Sequence, residues 1–308
     1  MKKCPFFGVC GGCKYDFASP TYHEEKLKEL KNLPLTAAPI WTDIGTRRRA
    51  DFAFADGNFG LYQHKSKNIV PVRDCPLLRT EINNILPLLA ALPWSGSGAC
   101  LITVCNNGID IAVTSPVPYF SSELKKSVEK VQEIIRFTWN EHTVVQRKNP
   151  IISFDDKDIE YPSGAFLQPT EQSEKTLRDM VVKAATGAKK VADLFCGLGN
   201  FTFVLNADGF DINGTGVKRD LFTHPLTTGM LEKYDCVVMD PPRAGALSQC
   251  KELVKSTVSK IIYVSCNPTT WQRDANVLTH AGYKLSTLIP VDQFVGSAHW
   301  ELFSVFDR

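Results

Sequence analysis

A cysteine that closes an apolar run is the first candidate for chemistry in this chain. Residues 261–265 read Ile-Ile-Tyr-Val-Ser, a buried-strand pattern, and Cys266-Asn267-Pro268 follow. A thiol at a strand end can sit in a polar cleft, where its thiolate is a nucleophile, whereas a core cysteine is inert. The plain alternative is a structural thiol, the commoner role for a single cysteine. A second strand end argues against that. Residues 234–239 run into Asp240-Pro241-Pro242-Arg243. The prolines stiffen the turn, and in an open α/β sheet ligands bind outside the carboxyl ends of strands. Asp240 is therefore expected to face the same cleft as Cys266 rather than merely to cap a helix.

A third strand end carries glycines. Residues 190–195, Lys-Val-Ala-Asp-Leu-Phe, lead into Cys196-Gly197-Leu198-Gly199-Asn200. Glycines there let the backbone approach a ligand and open onto a helix N-terminus. By itself Gly-x-Gly fits a plain strand–helix turn as well as a nucleotide cofactor. A dinucleotide fingerprint needs a third glycine, and position 202 is Thr. That leans away from NAD and toward S-adenosylmethionine.

The ten cysteines include a group near the start, Cys4, Cys10 and Cys13, the last two spanning Gly11-Gly12. No secretory apolar stretch follows Met1-Lys2-Lys3, so a cytoplasmic chain is expected, and clustered cysteines there point to metal or catalysis rather than disulfides. With Cys75 they make four thiols, which suit an iron–sulfur cluster or structural zinc. Three close ligands and one distant one are a less usual spacing for zinc, whose sites more often pair them two and two. Cys100, Cys105, Cys236 and Cys250 read as small buried hydrophobes.

These groups need a scaffold. Residues 21–33, 80–93 and 121–136 carry helical patterns. Residues 46–73 favour strands with a turn at Gly57-Asn58, and 100–105 with 109–114 flank Asn106-Asn107-Gly108, a hairpin signal. Residues 142–168 mix strand and loop. Beyond them the style changes. A helix over 171–185 precedes short apolar runs at 190–195, 234–239, 260–265 and 302–306, with helices expected over 245–257 and 270–281. Strands alternating with helices imply a parallel or mixed α/β sheet. Two domains, 1–160 and 161–308, follow.

Composition sets the outer limits. Of 308 residues, 44% are hydrophobic and 22% charged, as in ordinary globular proteins. No apolar run can span a bilayer. A net charge of +2 does not announce a nucleic-acid binder, although a modest excess can gather on one face. Arg47, Arg48, Arg49, Lys65, Lys67 and Arg73, interleaved with Phe52, Phe54 and Tyr62, are the residues that would neutralise phosphates and stack on bases. A solvated face over a hydrophobic sheet is the bland reading of the same residues.

Taken in order, residues 193–202 (Asp-Leu-Phe-Cys-Gly-Leu-Gly-Asn-Phe-Thr), Asp-Pro-Pro-Arg, Ser-Cys-Asn-Pro and His299-Trp300-Glu301 resemble the RNA (uracil-C5)-methyltransferase family, with the short 23S rRNA enzymes as the nearest pattern. The resemblance implies a Rossmann-like S-adenosylmethionine-dependent methyltransferase domain preceded by an α+β domain with a [4Fe–4S] cluster on Cys4, Cys10, Cys13 and Cys75. It implies Cys266 as the thiolate that adds to uracil C6 and Glu301 as the base that removes the C5 proton. Gln168, Phe195, Asn200, Asp220 and Asp240 match cofactor-contact positions. RNA, most of all 23S rRNA, is the implied partner of a monomeric protein. With the cysteines beginning at residue 4, no room is expected for the N-terminal β-barrel of longer members.

One departure stands out. The family's second strand ends in an acid that grips ribose hydroxyls, and a helix follows it. Here only nineteen residues separate Asn200 from Asp220, whereas a βαβ unit needs about 30. Asp208 and Asp211 are both candidates for the acid. The second strand–helix unit is shortened, which puts cofactor affinity in question. It keeps open a non-catalytic RNA-binding protein with a degenerate cofactor site, beside a tRNA-directed methyltransferase.

Overall fold

The computed structural model describes residues 3–308. In chain order its elements are α1 (Tyr22–Leu27), β1 (Ile40–Trp41), β2 (Arg49–Ala55), β3 (Asn58–Tyr62), β4 (Ile69–Val70), α2 (Thr80–Ala90), β5 (Ser97–Cys105), β6 (Gly108–Thr114), α3 (Ser122–Val128), β7 (Ile134–Trp139), β8 (His142–Gln146), β9 (Ile151–Phe154) and β10 (Lys157–Glu160). Then come α4 (Glu171–Ala184), β11 (Val191–Leu194), α5 (Asn200–Leu205), β12 (Asp208–Asp211), β13 (Val217–Lys218), α6 (Thr228–Leu231), β14 (Cys236–Met239), α7 (Leu247–Leu253), β15 (Lys260–Ser265), α8 (Pro268–His280), β16 (Lys284–Asp292) and β17 (Glu301–Asp307).

The chain forms two compact units. One comprises residues up to 28, 43–171 and 295–298; the other comprises 29–42, 172–294 and 299–308. The sequence pattern placed one continuous division near residue 160. The structure divides after Glu171 and exchanges two short segments, which no local pattern announces.

In the first unit seven strands pair in the order β4-β3-β2-β5-β6-β7-β8. Asp56 and Gly57, with φ of 50° and 79°, make the two-residue turn between β2 and β3. This is the left-handed geometry that matches hairpin twist, and it falls one residue before the expected Gly57-Asn58. Helix α2 buries Ile82, Ile85, Leu86 and Leu89 against the sheet, each worth about 1.5–3 kcal/mol. The helix expected over 121–136 stops at Val128. Residues 134–139, Ile-Ile-Arg-Phe-Thr-Trp, pair instead with β6 and β8, since branched and aromatic side chains fit a pleated, buried surface.

In the second unit eight strands pair in the order β1-β16-β17-β15-β14-β11-β12-β13. β13, β12, β11, β14 and β15 run parallel, and β17 is antiparallel to both β15 and β16. Cys236, Val238, Ile262, Val264, Phe303 and Val305 form a core with Leu177 and Val181 of α4. Strand β16 had no sequence expectation; Pro290 and its polar residues obscure the pattern. Among the described residues no helix is long and apolar enough to cross a membrane.

Candidate active site

Strand register brings the candidate residues together. β14 and β15 are parallel neighbours with Met239 opposite Tyr263, so Asp240 and Cys266 leave the sheet at the same edge. β15 and β17 are antiparallel with Ser265 opposite Leu302. The next residue on each strand is then Cys266 and Glu301, at adjoining ends. The turns are tied to each other. Asn267 caps α8 by accepting from the Thr269 amide at 3.1 Å, and its Nδ2 donates to the Arg243 carbonyl at 3.0 Å. Thr270 Oγ1 donates to the same carbonyl at 3.1 Å. Pro268 at the helix start has no amide hydrogen to satisfy there.

The electrostatics follow from crowding. Burial, then the charges of Glu301 and Asp240, push the Cys266 thiol up to about 12, with Arg243 opposing. Burial and the Asp240 charge hold the Glu301 carboxyl well above the usual carboxylate range, with its Gln293 hydrogen bond opposing. Burial and the Asp193 charge raise half-buried Asp240 to about 7. Like charges brought together out of water favour their protonated forms.

Glu301 is fully enclosed. Its Oε2 accepts from Gln293 Nε2, whose Oε1 in turn accepts from Ser173 Oγ at 3.1 Å. Its Oε1 is buried and has no hydrogen-bond partner.

The glycine turn lies at the end of β11. Phe195 has φ of 61°, a conformation that a bulky residue adopts only under constraint. Both its amide and that of Cys196 donate to the Phe210 carbonyl on β12. Its ring lies 5.4 Å from that of Phe222, beside Asp220, which accepts from the Phe222 amide at 3.0 Å and Thr223 Oγ1 at 2.7 Å. Asn200 opens α5 and accepts from Arg178 Nη1 at 2.8 Å. Asp193 is fully buried. Thr202 donates to its Oδ2 at 2.5 Å, while Oδ1 is buried without a partner. That bond accounts for Thr at the position where a dinucleotide fold has glycine.

The shortened segment takes an unusual course. β12 and β13 are parallel neighbours, Phe210 opposite Val217, yet only residues 212–216 join them. Parallel neighbours ordinarily need a crossover of about a dozen residues or more. The short link folds back over the glycine turn. Asp211 Oδ2 accepts from the Gly197 amide at 3.0 Å, Oδ1 accepts from Asn213 at 2.8 Å, and the Thr215 amide donates to the Gly197 carbonyl at 2.9 Å. A Cβ on Gly214 would lie 2.3 Å from that carbonyl oxygen. Asp208 lies at the opposite end of β12, held by Lys190, Lys233 and Tyr234, and these partners, the Lys190 bond foremost, lower its pKa to about 2. The structure thus separates the two candidates: Asp211, not Asp208, stands at the carboxyl end. Each of its oxygens keeps a further lone pair. With the orphaned Asp193 oxygen and the left-handed glycines, the strand ends fit a cofactor rich in amines and hydroxyls, such as S-adenosylmethionine.

In the first unit Cys4, Cys10, Cys13 and Cys75 line one cavity of about 180 Å³ with Phe6, Phe17 and Arg47. Burial, then the other three cysteines, raise Cys13 to about 12, with Arg47 opposing. Gly296, φ 79°, packs so tightly that an added Cβ would lie 2.8 Å from Cys13 Sγ, and its carbonyl accepts from the Lys14 and Tyr15 amides. Among the described residues no group of three His, Cys, Asp or Glu side chains is set to hold a metal ion. Four thiols around a shared cavity do fit the donor chemistry of a larger cluster, which spreads its ligands more widely than one ion.

The expected RNA face divides. Arg48 is 2% exposed, with Nε donating to the Gln168 carbonyl at 3.2 Å. Arg47 borders the cysteine cavity, and Phe52 and Phe54 are core residues. None of these is free to meet a phosphate or a base. Charged residues close to a buried feature looked superficial only because sequence does not show which face they take. Lys65, Lys67 and Tyr62 do line an open groove of about 570 Å³. Gln168 is buried in the same unit.

The chain is 34% identical to an uncharacterized RNA methyltransferase of Agrobacterium fabrum, over 98% of this chain and 83% of the relative. The model of the tRNA (uracil-5-)-methyltransferase family matches residues 216–307. This chain belongs to the RNA (uracil-5-)-methyltransferase family. The 23S rRNA (uracil(1939)-C(5))-methyltransferase of Photorhabdus laumondii is 26% identical over 99% of this chain and 82% of that protein. The fold matches the Pyrococcus abyssi tRNA (uracil-54, C5)-methyltransferase, solved with S-adenosyl-L-homocysteine. The TM-score is 0.74 and identity 19%, over 92% of this chain and 83% of the other. The Agrobacterium alignment runs over 346 positions against 308 residues, so that relative carries stretches this uracil-5 methyltransferase lacks.

For this RNA (uracil-5-)-methyltransferase, S-adenosylmethionine is the methyl donor and the Rossmann-like unit its scaffold. Sequence reading passed over four residues of the site: Asp193, Thr202, Ser173 and Gln293. Asp193 and Thr202 had a signal, since both lie inside the glycine-turn motif. Ser173 and Gln293 had none.

Proposed function

We propose that this enzyme methylates C5 of a uridine in 23S rRNA, with Cys266 as nucleophile and Glu301 as base. The observation that carries the mechanism is the register that sets Cys266 beside Glu301 and Asp240 at adjoining strand ends. The rRNA assignment rests on the shared sequence pattern and on the Photorhabdus relative.

Uracil C5 is too weak a nucleophile by itself. The Cys266 thiolate adds to C6, and the C5–C6 electron pair moves onto C5 and the C4 carbonyl oxygen. When bound, S-adenosylmethionine supplies an electrophilic methyl group to C5. Glu301 then takes the C5 proton, the electrons re-form C5=C6, and the Cys266–C6 bond breaks to return the thiolate. Covalent catalysis here splits one hard step into easier ones. Phe195, Asn200, Asp220 and Asp240 are the proposed cofactor contacts, with Asp211 taking the place of the ribose acid. Cys4, Cys10, Cys13 and Cys75 would hold a [4Fe–4S] cluster that orders the first unit. The groove at Tyr62, Lys65 and Lys67 would meet RNA phosphates and bases.

Incubating purified protein with labelled S-adenosylmethionine and unmodified 23S rRNA or tRNA transcripts tests the substrate. Label in 23S rRNA uridine is expected, and label confined to tRNA would reassign it. Iron and sulfide analysis of anaerobically purified protein tests the cluster; full zinc occupancy would overturn it. The Asp211 oxygens already bonded to amides favour one second reading, an RNA-binding protein that does not turn over. Calorimetry decides it: RNA binding without S-adenosylmethionine binding would establish that reading.

A further inference from the structure

The loop between β16 and β17 begins and ends with two buried polar residues. Gln293 follows the last residue of β16, and Glu301 is the first of β17. Gln293 is 1% exposed and Ser173 is 1% exposed, so the bonds that join them to Glu301 are shielded from water. Ser173, on α4, donates its hydroxyl hydrogen to Gln293 Oε1. That leaves the Gln293 Nε2 hydrogens to donate to Glu301 Oε2. Glu301 Oε2 is an acceptor there, so this amide orientation satisfies both partners at once. One oxygen of Glu301 is thereby occupied by a donor, and the other, Oε1, is buried without a partner.

The geometry points to Gln293, oriented by Ser173, as the positioning residue that fixes the Glu301 carboxylate and reserves Oε1 to receive the C5 proton. Gln293 touches no reacting atom in this role. It acts through Glu301, and so it rests on the reading of Glu301 as the base. A buried acceptor without a hydrogen bond costs free energy, and a fold keeps one where a ligand supplies the missing hydrogen. Here that hydrogen is the proton on the methylated C5. Rotation of the carboxylate would put Oε2 forward, but Oε2 is held by an amide that has no site to accept a proton. The Gln293 bond also counters the rise in Glu301 basicity caused by burial and Asp240.

The test compares wild type with Gln293→Met, Ser173→Ala, Glu301→Gln and the double variant Gln293→Met with Glu301→Gln, all on the full-length protein with RNA and S-adenosylmethionine. Methyl transfer proceeds without the base, but release does not. Gln293→Met should therefore accumulate a methylated protein–RNA adduct that survives SDS. Its kcat should fall about 10- to 100-fold, the usual cost of losing a partner that orients a functional group, with KM for RNA and S-adenosylhomocysteine affinity unchanged. The double variant should be no slower than Glu301→Gln alone. Wild-type turnover in Gln293→Met would overturn the proposal, as would weakened RNA binding with no adduct while Glu301→Gln still forms one. If Glu301→Gln itself releases product normally, the base assignment fails first, and the positioning role falls with it. Should Gln293→Met not fold, Ser173→Ala carries the same readouts with a smaller expected loss, and an unchanged kcat there would count against the relay.

Discussion

Two halves of one sheet edge are built in opposite ways. Where β14, β15 and β17 end, side chains crowd: after burial, Glu301 and Asp240 push up the Cys266 thiol, Asp240 raises Glu301, and Asp193 raises Asp240. Where β11, β12 and β13 end, backbone does the holding. Asp211 accepts amides, Gly214 lies against Gly197, and the link between parallel strands is cut to residues 212–216. The crowded half draws each of its groups from a different strand end. The backbone-held half has a short link in place of a crossover helix and keeps its register, because β12 still pairs with β11 and the link bonds to the glycine turn.

The largest expected effect is in the crowded half. Cys266→Ala should abolish both methylation and the covalent adduct, measured by label transfer and by SDS gel; retained activity would remove the proposed nucleophile. Glu301→Gln should lower turnover by about 10²- to 10⁴-fold, the span of a lost general base. Asp240→Asn deletes one of the charges that raise the Cys266 thiol. A lower thiol pKa means more thiolate at pH 8, so Cys266 should alkylate faster with iodoacetamide, up to about tenfold for each pKa unit. A slower rate would show that Asp240 does not face the thiol.

The backbone-held half should respond through stability. Gly214→Ala forces the link away from the Gly197 carbonyl and should cost about 1–3 kcal/mol in denaturant unfolding, with no change in Cys266 alkylation. A change in alkylation would show that the halves are coupled. A pH effect in the same half concerns Asp193. Burial raises its folded pKa from 3.8 to about 7. Between those values the folded protein keeps a proton that the unfolded chain has released, so stability falls as pH rises through the window. The limit is about 1.4 kcal/mol per pH unit per proton. Asp193→Asn should make the decline of Tm from pH 5 to pH 8 shallower, and an unaltered slope would assign it to Asp240 and Glu301 instead.

Much of the site was readable because each motif is local. Asp-Pro-Pro-Arg, Ser-Cys-Asn-Pro and the glycine turn are strand ends, and Asn267 caps the helix that follows the second of them. The short passage from Asn200 to Asp220 was visible as a count of residues. Its consequence was not. Nothing along the chain separates Asp208 from Asp211, which lie three positions apart but at opposite ends of β12. Helix patterns misled where sheet pairing competed, as over residues 134–136. The basic run at 47–49 looked like one surface until folding turned Arg48 inward.

The sequence alone therefore determined which residue types stand at the strand ends, because a strand, its stop and the next helix cap obey backbone rules within a few residues. It also determined the four cysteines that could share a ligand. The tertiary structure alone decided which groups meet across strands: Cys266 with Glu301, Asp211 with Gly197, and Ser173 with Gln293. Those pairings depend on register and packing between segments far apart in the chain, where a shift of one residue turns a side chain to the other face. Local rules carry no information about that choice.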